Sequence, residues 1–190
     1  LAYSSIGQVG YMLMGIAALS PMASTGLILH IVGYAFSSMI VFVGVIAFLN
    51  ATGKERVTDF TGLADRAPFL AACLTVGFFS LAGLPFLAGF VTKFYLFTAV
   101  ARMGMLWMAG LAIFFSLVSL YYYLGIIRRM YVDSAAEGDS IPVKPLLKGV
   151  LGLLALGIFV IGIYPSPLVD AIEFATSTVL PSAGGIVGLP

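Results

Sequence analysis

Residues 68–100 form one apolar run of thirty-three residues whose sole formal charge is Lys93. A continuous helix of that length is about 50 Å long at 1.5 Å per residue, while the hydrocarbon of a bilayer is about 30 Å thick. Tilt absorbs a few ångströms of the excess, not the remaining ~20 Å. The run is therefore expected to cross a membrane as a helix that breaks on the way. The remedy is written into Ser80-Leu81-Ala82-Gly83-Leu84-Pro85-Phe86-Leu87-Ala88-Gly89. Pro85 has no backbone N–H and clashes with the preceding turn, and Gly83 and Gly89 relax the chain around it.

Three more runs approach the roughly 20 apolar residues a spanning helix needs: 27–49, 105–127 and 147–164. A fifth, residues 3–20, is apolar apart from Tyr3, Ser4, Ser5, Gln8 and Tyr11. Helix is the expected form throughout, because a segment in lipid must satisfy its own backbone hydrogen bonds. The fold class is thus an all-α integral membrane protein with about five transmembrane helices, one of them discontinuous. Breaks fall at Ser20-Pro21, from Asn50 to Pro68, from Ala101 to Gly104, and from Arg128 to Lys148.

Composition rules out the rival classes. The chain is 61% hydrophobic and 9% charged, against roughly 45–50% and about 25% in soluble domains. Water-soluble enzyme, nucleic-acid binder and disordered tail are excluded together, and a net charge of +1 gives a nucleic acid no basic field. Cys73 is the only cysteine and His30 the only histidine. No intrachain disulfide, cysteine cluster or metal site can be assembled from them. No Gly-x-Gly-x-x-Gly element follows a strand, so no cofactor site is expected. The chain opens on Leu1 without a basic leader and is expected to be an internal piece of a longer polypeptide.

Alternate connections place Lys54, Arg56, Arg66, Arg128, Arg129, Lys144 and Lys148 on one side and Arg102 on the other. This positive-inside bias puts the two long loops in the cytoplasm and the tail after Tyr164 outside. Residues 166–190 are then a periplasmic tail or interfacial segment, with an amphipathic stretch from Pro167 to Leu180.

Lys93 lies about eight residues before the outer end of its run, hence roughly 12 Å from the surface. A lysine at mid-depth costs about 2.5–3.5 kcal/mol on insertion scales. One reading is snorkelling, with the long stem carrying the charge towards the headgroups. The other is a proton carrier beside a broken helix, since unpaired carbonyls in the membrane belong next to protein or a wet cavity. A kink that merely shapes packing is the plain alternative for the break itself. Polar stripes on other spans offer partners. His30, Tyr34, Ser37 and Ser38 recur at spacings of three and four, as do Ser116, Ser119 and Tyr123, and Ser4, Gln8 and Tyr11 share a third stripe. His30 is either a proton relay or a hydrogen-bonded structural histidine. Tyr121-Tyr122-Tyr123 fits an interfacial aromatic belt as well as a channel wall. No Asp or Glu lies within any span, so Lys93 has no carboxylate partner there.

Leu1-Ala2-Tyr3-Ser4-Ser5-Ile6 with Gly10-Tyr11, and Ser80 to Pro85 followed by Gly89-Phe90-Val91-Thr92-Lys93-Phe94-Tyr95, resemble the antiporter-like membrane subunits of NADH:quinone oxidoreductase (respiratory complex I). Leu120-Tyr121-Tyr122-Tyr123-Leu124 with Arg128-Arg129 is most similar to the subunit N branch of that family. The resemblance covers residues 1–165 and implies the later part of the second of two inverted five-helix repeats, plus a final helix. It implies that Lys93 is the central proton carrier of a half-channel, with His30 a tentative relay and Tyr34, Ser38, Ser116 and Ser119 its tentative lining. Gly83 and Pro85 make the helix break. Where the larger sister subunits carry a lysine at the Ser38 position, this chain has serine.

The resemblance further implies a translocase subunit in the cell inner (plasma) membrane, with no redox centre of its own. Quinone and NADH are handled by other subunits, its partners are the other membrane subunits, the lipid bilayer and the missing N-terminal part of the polypeptide, and acidic pathway residues lie in that missing part. Two alternatives stand beside this reading. One is a subunit of a multi-subunit sodium/proton antiporter or a related hydrogenase membrane arm. The other is a structural membrane scaffold, in which Lys93→Leu is harmless.

Overall fold

Ser20 and Pro21 open the longest helix. The Ser20 hydroxyl accepts a hydrogen bond from the Ala23 amide at 3.1 Å, and Pro21 takes the first helical position, where its missing N–H loses nothing. The computed structural model describes residues 1–18, 20–133 and 140–179. Among them the regular elements are all helical: α1 (Ala2–Ala17), α2 (Pro21–Thr52), α3 (Leu63–Arg66), α4 (Pro68–Ala82), α5 (Ala88–Arg102), α6 (Leu106–Tyr131), α7 (Pro145–Ile163) and α8 (Ser166–Val179), with a 3-10 turn at Val57–Phe60.

The helix limits follow capping chemistry more closely than the edges of the apolar runs. α2 overshoots the expected 27–49 at both ends and stops only at Gly53, whose φ of 69° closes the helix in the left-handed region. α7 starts on Pro145, and α6 runs on through Arg128 and Arg129. α2, α6 and α7 are each long and apolar enough to cross a membrane. α4 and α5 have 15 residues each, about 22 Å apiece, so neither spans alone. They succeed one another across the break at residues 83–87, which is the discontinuous helix expected from the length of the run. The chain is a multi-pass membrane protein.

α2 is the axis of the bundle and packs against α1, α4, α5, α7 and α8. Its Ile40, Val41 and Phe48 interlock with Leu70, Leu74 and Phe78 of α4, Tyr123 of α6, and Leu151 and Ile158 of α7. Lipid tails are as apolar as leucine, so this core gains from close fit and dispersion more than from leaving water. The two long connections meet at one end of the bundle. There the Gly62 amide donates to the Arg129 carbonyl at 3.0 Å and the Ile141 amide to the Arg66 carbonyl at 2.9 Å.

α8 turns Val169 and Ile172 onto Leu29 of α2, with Leu168 and Tyr95 alongside, while Asp170 and Glu173 are exposed. The expected amphipathic stretch is thus helical through Val179. Residues 180–190 of the tail, and Glu137 and Asp139 of the second long connection, lie outside the described residues.

Candidate functional site

The break between α4 and α5 is built by Gly83. Its φ of 87° lets the chain turn back. The Leu84 amide reaches the Phe79 carbonyl and the Gly83 amide the Ser80 carbonyl, both at 3.0 Å, a paired closure that needs a left-handed residue. Pro85 and Phe86 make the turn that follows, Phe86 at a φ of 68°. α5 then leaves at a close crossing. A Cβ on Gly89 would overlap the Ser80 carbonyl oxygen, so only glycine admits this approach.

The closure at Gly83 leaves the Leu81 and Ala82 carbonyls without a main-chain donor. Lys93 supplies one. Its ammonium Nζ donates to Leu81 at 2.8 Å, to Ala82 at 3.3 Å and to the Ser116 hydroxyl at 3.0 Å. It also stands 5.2 Å from the centre of the Tyr11 ring. The side chain is only 4% exposed. Lys93 is therefore turned inward onto the end of α4. The carboxylate missing from the spans has a substitute: the C-terminus of α4 carries about half a negative charge and favours a cation.

Around this pair of carbonyls other donors gather. The Gln8 side-chain amide donates to Leu81 at 3.2 Å and the Ser116 hydroxyl to Ala82 at 3.0 Å. Ser119, half-buried one turn along α6, lies with Ser116 against Tyr11. Closer to the basic end, Ser4 of α1 and Tyr123 of α6 are hydrogen-bonded. The stripes read at spacings of three and four on α1 and α6 thus face each other and converge on Lys93. Tyr121 and Tyr123 take opposite parts, the first 82% exposed and the second buried in the protein.

The stripe on α2 does not converge in this way. The His30 Nδ1 lies 3.1 Å from the Thr92 hydroxyl, while its Nε2 is buried without a partner. Ser37 shares a 2.7 Å hydrogen bond with Ser80, whose hydroxyl also accepts from the Gly89 amide at 3.1 Å. Tyr34 turns to α1 and donates to Ser5 at 2.8 Å. Ser38 donates back to Ala35 of its own helix at 3.1 Å and joins none of these groups by a hydrogen bond. Ser80 and Thr92 escaped the sequence reading as partners, although both sit inside the broken-helix string. The available signal was a hydroxyl one turn before Gly83 and another beside Lys93.

A groove of about 610 Å³ between α5 and α6 opens beside the break. Phe90, Phe94, Phe97, Ile113 and Leu117 line it together with Lys93 and Ser116. Among the described residues no three His, Cys, Asp or Glu side chains stand together to hold a metal ion. What the site offers chemically is an amine, hydroxyls and an imidazole, with two main-chain carbonyls that accept hydrogen bonds from the amine.

The family profile described as NADH:quinone oxidoreductase/Mrp antiporter, TM, matches residues 1–119. NADH-quinone oxidoreductase subunit N of Moorella thermoacetica is 40% identical over 171 residues, which are 90% of this chain and 36% of that protein. Subunit N of Heliobacterium modesticaldum is 36% identical over 94% of this chain and 38% of its own length. The chain spans little more than a third of these curated relatives. Among solved structures, the Mrp complex from Dietzia sp. DQ12-45-1b superposes with a TM-score of 0.84 at 20% identity, over 95% of this chain and 42% of that one. Respiratory complex I from Thermus thermophilus with bound NADH gives 0.74 at 24% identity, over 91% and 38%. At such identities these two likenesses concern the fold, which is the antiporter-like fold the sequence strings implied.

Proposed function

The chain belongs to the NADH:quinone oxidoreductase/Mrp antiporter transmembrane family, and from that membership we propose that it forms part of a proton-translocating membrane subunit of an NADH:quinone oxidoreductase. Lys93 is its proton carrier, at the centre of a half-channel. The observation that carries this reading is the Lys93 ammonium held on the Leu81 and Ala82 carbonyls. Such a hold stabilises a charge in the membrane without a carboxylate. It is also weaker than a buried ion pair, so the proton can leave.

Gly83 and Pro85 make the break that exposes the carbonyls. Ser116, Ser119 and Tyr34 line the route, and Tyr11 and the Ser4–Tyr123 pair extend it towards the basic end. Ser38 belongs to the lining only if water bridges it to Tyr34 or Ser37. His30 relays between Thr92, at its Nδ1, and its unpaired Nε2 on the other side of the ring. Electron transfer between NADH and quinone takes place in other subunits, and its field changes load and unload Lys93. The long connections face the cytoplasm, in keeping with their basic residues, and the membrane is the cell's inner (plasma) membrane.

The antiporter-like fold is shared with the Mrp complex, so fold alone does not separate proton pumping from cation/proton exchange. Identity of 40% and 36% to subunit N proteins favours the first. The experiment is Lys93→Ala in the complete membrane complex, reconstituted in vesicles. Proton pumping per electron pair is expected to fall and coupled quinone reduction with it, while the complex still assembles. An unchanged proton-to-electron ratio would refute the assignment.

A further inference from the structure

The carbonyl of Leu81 has two donors from two different helices. Lys93 reaches it from α5 at 2.8 Å and Gln8 from α1 at 3.2 Å. Gln8 is 3% exposed, so its amide has no water to turn to and must keep a protein partner. It stands one turn from Ser4 and one from Tyr11 on the buried face of α1. A carbonyl oxygen has two lone pairs, and each donor weakens its pull on the other.

We propose that Gln8 is a positioning residue for proton release: it holds the Leu81 carbonyl in place when Lys93 is neutral and dilutes that carbonyl's grip when Lys93 is charged. This rests on the proton-carrier reading of Lys93 and assigns Gln8 a regulatory part within it. The ordering of the carbonyls is needed in both halves of the cycle. A neutral amine donates more weakly, and without Gln8 the last turn of α4 would then be left with an under-satisfied buried carbonyl. Ser116 does the equivalent for Ala82, since its hydroxyl donates to that carbonyl at 3.0 Å. Gln8 differs because it is not hydrogen-bonded to Lys93 and acts only through the shared oxygen.

The titratable groups around Lys93 are few. α1 brings Tyr11, α2 brings His30, whose ring stands edge-on to Tyr11 at 6.1 Å, and α6 brings Tyr122 and Tyr123, side by side at 4.6 Å. The only titratable side chains of α4 and α7 are Cys73, more than two turns before Ala82, and Lys148, in the first turn at the basic end. A change made at Gln8 is therefore read out by Lys93 with little competition.

The test uses Gln8→Leu and Gln8→Glu in the complete membrane complex, with proton pumping followed across pH in vesicles. Gln8→Leu gives the ammonium the undivided carbonyl, and the alkaline limb of the pumping profile is expected to move up by about half a pH unit, roughly threefold in proton affinity. Gln8→Glu removes the amide donor, since a carboxylate cannot donate to the Leu81 carbonyl, and puts a negative charge within about 6 Å of the ammonium, the Gln8 and Lys93 nitrogens lying on one oxygen. Its limb should move further, by about one to three pH units, and pumping at neutral pH should slow. Gln8→Glu has nearly the volume of the native side chain, so it remains informative if Gln8→Leu fails to assemble. A profile unmoved in Gln8→Glu, in a complex whose pumping is lost in Lys93→Ala, would overturn the role of Gln8 and leave the proton-carrier reading standing. Pumping that survives Lys93→Ala would instead remove the premise.

Discussion

Lys93 on α5 and His30 on α2 are both buried and titratable, yet their surroundings differ in kind. Lys93 has three hydrogen bonds and an aromatic ring beneath it. His30 has one hydrogen bond, to Thr92, and a ring nitrogen with none. The difference traces to the backbone. α4 ends in mid-bundle and offers Lys93 two carbonyls that no main-chain amide claims, whereas the helix around His30 runs unbroken for 32 residues and keeps its carbonyls for itself. A broken helix can hold a charge on its freed carbonyls; an intact one has none to offer, and its buried ring borrows its partner from a neighbour.

The comparison breaks most sharply at Gly89. Gly89→Ala drives a methyl group into the Ser80 backbone and should cost about 3 kcal/mol or more, the upper end for overpacking. α5 must then shift off α4, separating Lys93 from its carbonyls, so the variant should lower both the unfolding temperature in detergent and proton pumping. A variant with native melting and native pumping would show that the crossing is looser than described. A smaller effect is expected at the other region. Thr92→Val keeps the shape and removes the one partner of His30, at a cost of roughly 1–3 kcal/mol for a stranded polar group. Pumping should slow several-fold while the Lys93 hydrogen bonds persist. A loss as deep as that of Lys93→Ala would mean that the two regions act as one unit.

The broken helix was legible in the sequence because length is a hard constraint: residues 68–100 do not fit a bilayer in one piece, and Gly83 and Pro85 mark where they yield. The polar stripes on α1 and α6 were legible from spacing alone, as Ser4, Tyr11, Ser116 and Tyr123 all face inward together. The α2 stripe was not. Spacings of three and four place His30, Tyr34, Ser37 and Ser38 near one face, but α2 is wrapped on several sides, and each residue meets a different neighbour. Periodicity gives an angle around one helix and says nothing of which helix stands there. For the same reason Ser80 and Thr92 went unread as partners. The answer to the missing carboxylate was hidden too, because it is a helix end and no side-chain code spells it.

The most direct test is an experimental structure of the assembled membrane complex at a resolution that shows water. The account predicts α4 ending at Gly83, the Lys93 Nζ within hydrogen-bond distance of the Leu81 and Ala82 carbonyls, and ordered water between Tyr11, Ser116 and Ser119. One continuous helix from Pro68 to Arg102, or a Lys93 amine turned out among lipid headgroups, would contradict it.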